Sequence, residues 1–139
     1  MSDSLAYNIE KDDLSKFGPG AAFVTFGEVM VRDTPADSER PERTRLVHLS
    51  MAGSEYTLAM GLARLGIPST YITRVPANPY GYALRNLARE NGLNTDYIVW
   101  APKTDLMGRL IYELGRTPRR DVGIYQRKYS AASRLDAGM

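Results

Sequence analysis

The sequence contains no cysteine and a single histidine, His48, among its 139 residues. The first absence excludes a disulfide framework, a thiolate metal site and a cysteine nucleophile, and the second excludes a zinc site built on several imidazoles. No apolar run approaches the roughly 18 residues that cross a bilayer. Residues 1–20 carry acidic groups where a secretory signal needs a basic start and an apolar middle. A cytoplasmic protein with no membrane partner is expected. Excess charge is also lacking, since 18 Lys+Arg against 16 Asp+Glu leave a formal +2. That balance does not call for nucleic acid or an anionic surface as partner.

What is present is ordinary globular material, with 43% hydrophobic and 24% charged residues. A single domain of this length buries roughly two-thirds of the surface its unfolded chain exposes. Met1 to Gly20 is polar, without sustained period, and closes on Gly18-Pro19-Gly20. It reads as a flexible leader ahead of a body spanning 21–139. Ala21 to Val31 is apolar and β-branched, as a strand buried on both faces should be, with Gly27 inside it as a bulge or a point of close ligand approach.

Asp33 to Arg45 reads as a solvated loop and Leu46 to Ser50 as a short strand. From Ser54, read as an N-cap, Leu58, Ala59, Leu62, Ala63 and Leu65 follow the helical period until Gly66. Ser69 to Val75 alternates as a strand. A second helix begins near Pro79, carries Tyr80, Leu84, Leu87 and Ala88 on one face, and stops at Asn91-Gly92. Asp96 to Trp100 is a third strand. The order points to a parallel α/β sheet with flanking helices. Leu106 to Leu114 and Val122 to Lys128, joined by a polar turn, read as an antiparallel hairpin. A dinucleotide-binding reading needs a GxGxxG turn after the first strand, and GEVMVR has none.

Three segments in order resemble the PfkB (ribokinase-like) family of carbohydrate kinases, most closely its 2-keto-3-deoxygluconate kinases. Gly27-Glu28-Val29-Met30-Val31-Arg32 is similar to the family's opening strand. Ala52 to Gly66 (AGSEYTLAMGLARLG) looks like its first signature, and Tyr125 to Ser133 (YQRKYSAAS) resembles the run that holds a sugar acid. Thr73 to Gly81 (TRVPANPYG) also matches. Thr57 stands where the family has asparagine and Ala52 where it has glycine. A hydroxyl at 57 loses the amide's paired donor and acceptor, which bears on which sugar is taken.

The resemblance implies a ribokinase-like α/β fold with a parallel core sheet and a small β lid. It implies phosphorylation of a sugar or keto-deoxy sugar acid, with ATP and Mg, by an intact enzyme. The family's ATP-binding and catalytic-base half has no counterpart in these residues, so no catalytic residue is expected here, only acceptor-site and lid residues. A sheet continuing beyond them would leave an apolar edge and face.

Gly27, Glu28, Asp33, Gly53, Ser54, Thr57, Tyr125 and Arg127 are the expected substrate-binding set. Arg127 would grip the acid, since a planar guanidinium meets a carboxylate with two parallel hydrogen bonds. Five of these have a plainer reading: Gly53 and Ser54 as a turn and cap, Arg127 as a solvated charge, Glu28 as an ion pair with Arg32, and Asp33 as a turn residue. His48 and Trp100 are read as structural. Expected partners are the sugar, a second copy through the lid strands, and a separate chain carrying the C-terminal half. An alternative is a truncated or split sugar-binding or dimerising module without activity.

Overall fold

A computed structural model describes residues 14–18 and 20–136. Its strands are β1 (Phe23–Phe26), β2 (Met30–Pro35), β3 (Val47–Ala52), β4 (Ser69–Pro76), β5 (Ile98–Ala101), β6 (Gly108–Glu113) and β7 (Val122–Gln126). Its helices are α1 (Ser54–Arg64) and α2 (Pro79–Glu90). A three-stranded sheet runs β1-β4-β5 and a four-stranded sheet runs β3-β2-β6-β7.

The first is the parallel core sheet, with Phe23 opposite Ser69 and Thr73 opposite Ile98. Alternation along β4 puts Tyr71, Thr73 and Val75 on one face, all buried. Tyr56 and Ala59 of α1 and Leu84 and Ala88 of α2 close over Tyr71 and Val75 to form the core, with Val29, Leu93 and Ile98. Asn78 caps α2 by accepting from the amides of Tyr80 and Gly81, with Pro79 in the first turn. Gly66 and Gly92, at φ of +82° and +78°, end the two helices in the left-handed region that glycine enters without strain.

The second sheet stands where the resemblance implies a β lid, and is called the lid below. β2 pairs antiparallel with β3 and parallel with β6, and β6 and β7 form the expected hairpin with Leu110 opposite Tyr125.

The expected first strand from Ala21 to Val31 is two strands in two sheets. The Gly27 amide still bonds the Ile72 carbonyl at 3.2 Å, and the Gly27 carbonyl accepts from the Tyr71 hydroxyl at 2.9 Å. Then the chain leaves the core sheet to satisfy the β3 and β6 ladders. The expected loop from Asp33 therefore begins only after Pro35, and the strands expected at Ser69–Val75 and Asp96–Trp100 shift by one or two residues, as strand ends do. The leader expectation falls mostly on residues outside those described. Residues 14–17 are a 3-10 turn tied to the body, with the Phe17 carbonyl accepting from the Thr70 hydroxyl at 2.8 Å and the Asn94 amide at 3.2 Å.

Candidate functional site

The break between β1 and β2 carries Glu28 into the space where the two sheets meet. Its carboxylate is 8% exposed and has a partner for each oxygen: the Ser130 hydroxyl donates to Oε1 at 2.6 Å and Arg127 Nε donates to Oε2 at 2.5 Å. The bond to Glu28, and the negative charge behind it, push the Arg127 guanidinium pKa further above its ordinary value. Arg127 remains more than half exposed, and its two Nη groups make no hydrogen bond among the described residues.

Gly53 lies directly behind Glu28. A Cβ at Gly53 would sit 2.6 Å from the Glu28 carbonyl, so only glycine lets β3 pass this close before α1 begins. Gly53 is therefore itself the N-cap, without a side-chain bond, and Ser54 is the first helical residue rather than the expected cap. Its hydroxyl is left free of capping. Thr57 lies one turn on, its amide closing the first helical bond to the Gly53 carbonyl at 2.9 Å.

Glu28, Gly53, Ser54, Thr57, Tyr125 and Arg127 line one cleft of about 770 Å³, floored by Met30, Ala52 and Leu110. Six of the eight expected residues are thus brought together across the junction of core and lid. Gly27 lines an adjoining hollow of about 600 Å³ that shares Glu28, Glu55 and Arg127.

Asp33 is the exception. Period-two alternation puts it on the face of β2 opposite Met30, where its carboxylate is buried and paired with Arg109, likewise on the far face of β6. It is withdrawn from the cleft. Its Oδ1 has no hydrogen-bond partner among the described residues. The expected Glu28–Arg32 pair is not formed either, because Arg32 Nε donates to Ser50 Oγ at 3.0 Å.

Sequence reasoning left out Ser130 and Glu55. Both stand inside the recognised segments, but Ser130 enters the site only through its bond to Glu28, 102 positions earlier, and no local pattern reports that. The described residues bring together no group of three or more His, Cys, Asp or Glu side chains able to hold a metal ion.

Residues 21–136 match the family described as "pfkB family carbohydrate kinase". The chain belongs to this family. It is 33% identical over 113 residues to a 2-dehydro-3-deoxygalactonokinase of Haloferax volcanii, covering 81% of this chain and 35% of that protein. It is 25% identical over 130 residues to a 5-dehydro-2-deoxygluconokinase of Shouchella clausii, covering 88% and 40%. Among solved structures, a 2-dehydro-3-deoxygluconokinase from Thermotoga maritima superposes with a TM-score of 0.78 at 33% identity, over 82% of this chain and 34% of that one. The fold is the ribokinase-like α/β fold. This pfkB chain spans 35% and 40% of the length of the two curated relatives.

Proposed function

We propose that the whole protein transfers the ATP γ-phosphoryl group, with Mg²⁺, to a hydroxyl of a 2-keto-3-deoxy sugar acid in the cytoplasm, and that this chain supplies its acceptor site and lid. The observation that carries the proposal is the shared cleft. Gly53, Ser54 and Thr57 at the start of α1 and Tyr125 and Arg127 on the lid face one space of about 770 Å³, within the range of small-molecule sites.

In this reading the hydroxyls of Ser54 and Thr57 exchange hydrogen bonds with sugar hydroxyls. The Tyr125 ring covers an apolar face of the ligand, and the free Nη groups of Arg127 take the carboxylate. Held this way, the acceptor hydroxyl is oriented for attack, and orientation alone removes several kcal/mol from such barriers. ATP, Mg²⁺ and the catalytic base belong to a further polypeptide, continuous or separate. The test is an ATP-dependent phosphorylation assay on 2-keto-3-deoxygluconate. The 139-residue chain should show no turnover by itself; turnover without a second polypeptide would overturn the division of labour.

The second reading, a sugar-binding or dimerising module without catalysis, is favoured by the lid's outer strands. Val47 and Leu49 on β3, and Val122 and Ile124 on β7, lie on the face of the lid away from the cleft and are about half exposed. Apolar strands of this kind favour a second copy. Sedimentation of the purified chain that stays strictly monomeric at high concentration would count against lid pairing.

A further inference from the structure

We infer that Glu28 is a positioning residue that locks Arg127 by its Nε and so aims the two Nη groups at the carboxylate of the acceptor. The inference rests on the sugar-acid reading and adds a residue that reading does not use.

The lock is built from several directions. Glu28 Oε2 accepts from Arg127 Nε at 2.5 Å, and Oε1 accepts from Ser130 Oγ at 2.6 Å. Ser130 is itself buried and aimed: its amide donates to the Arg127 carbonyl at 3.1 Å, and its Oγ accepts from the Ser133 amide at 3.2 Å. Room for the carboxylate depends on Gly108, where a Cβ would lie 2.3 Å from Oε1. Gly53 leaves the matching space behind the Glu28 backbone, where a Cβ would lie 2.6 Å from the carbonyl oxygen. Two glycines, from β6 and from the α1 start, thus leave room for one buried carboxylate whose partners both follow β7.

The chemistry of the guanidinium explains why this matters. Arginine carries five N–H donors in one plane, and a bond at Nε fixes that plane while leaving the end-on Nη edge open. That edge matches a carboxylate with two parallel bonds. An exposed arginine without the Nε bond would spend much of its time in rotamers that miss the cleft. The Glu28 charge also cancels much of the charge on Arg127, so recognition of an acid here depends on geometry more than on long-range attraction.

The test measures affinities of the 139-residue chain for 2-keto-3-deoxygluconate and for 3-deoxyfructose, which carries an alcohol in place of the carboxylate. The ratio of the two affinities is the acid preference. Glu28→Asp keeps the charge but withdraws it by one methylene, and should cut the acid preference about tenfold, the size of one charge-assisted hydrogen bond, with little change for the alcohol. Glu28→Gln keeps the shape, accepting from Nε and offering its amide to Ser130, and by freeing the Arg127 charge should retain or raise the preference. Ser130→Ala leaves Glu28 in place but removes one of its two guides, and should show a smaller loss in the same direction.

The Arg127 Nε–H resonance, assigned by its disappearance in Arg127→Lys, reads the lock without ligand. It should persist in Glu28→Gln and broaden in Glu28→Asp, with thermal melts confirming that each variant folds. Full acid preference in a folded Glu28→Asp chain, or equal losses for acid and alcohol, would overturn the inference and leave the sugar-acid reading standing. No acid preference in the unaltered chain would overturn both.

Discussion

Tyr71 ties the core to the site at the level of a single side chain. It is fully buried against Tyr56, and its hydroxyl donates to the Gly27 carbonyl at 2.9 Å, just before the chain turns into Glu28. Burial is the main cause that raises its pKa far above the ordinary tyrosine value. The folded chain therefore keeps the phenolic proton where the unfolded chain, with a value near 10, gives it up. The stabilisation is complete below about pH 10 and is lost as pH rises beyond it. Urea unfolding should show stability falling from pH 9 to pH 11, and Tyr71→Phe should flatten that slope while costing about 1 kcal/mol at neutral pH. An unchanged slope in Tyr71→Phe would rule out Tyr71 as its source.

At the same scale, motif resemblance singled out Gly53, Ser54 and Arg127, which line one cleft. It did not carry the reasons. Gly53 is glycine because the Glu28 carbonyl leaves no room for a Cβ, a contact set by tertiary packing rather than by a turn rule.

Among the elements, those governed by local signals are legible in the sequence. α2 has its Pro79 start, its amphipathic face and its Asn91-Gly92 stop, and α1 ends at Gly66 as its period requires. The Asn78 cap was not read, although its side chain takes two of the first free amides of α2. Asn78→Ala should lower stability by about 1 kcal/mol in equilibrium unfolding, whereas Asn78→Asp should retain most of it.

What local signals could not report was partnership between strands. Nothing in Ala21 to Val31 says that its second part pairs with β6, some eighty positions later, in parallel register with Met30 opposite Gly108. That pairing decides which side chains face the cleft. Asp33 lies three positions, an odd number, beyond Met30 on β2, so Asp33 faces the far side with Arg109 while Met30 stays over the cleft. The misplacement of Asp33 followed from reading its position without the register.

For the molecule as a whole, the core sheet has one face covered by the two helices and one only partly covered, by the turns at 14–17 and 132–134. Both helices lie over Tyr71 and Val75, while the other face presents Phe26, Ile72 and Val99 around a hollow of about 650 Å³, with Phe26 64% exposed. Parallel sheets are commonly covered on both faces, which makes this apolar hollow unusual for a parallel core sheet. An apolar face was expected from the family resemblance rather than from any local pattern. Its extent was not, because β1 and β5 were expected to be longer than the four residues each one has.

The cleft lies on the junction between the sheets and draws its walls from both, so ligand binding should register on core and lid together. Its direct test is a ¹⁵N–¹H titration of the chain with 2-keto-3-deoxygluconate. The expected result is a set of shifts confined to residues 27–30, 52–57 and 125–130, with Asp33 unmoved. Shifts confined to one side of the junction, or centred on the far face around Asp33 and Arg109, would contradict a sugar-acid site between Gly53 and Arg127.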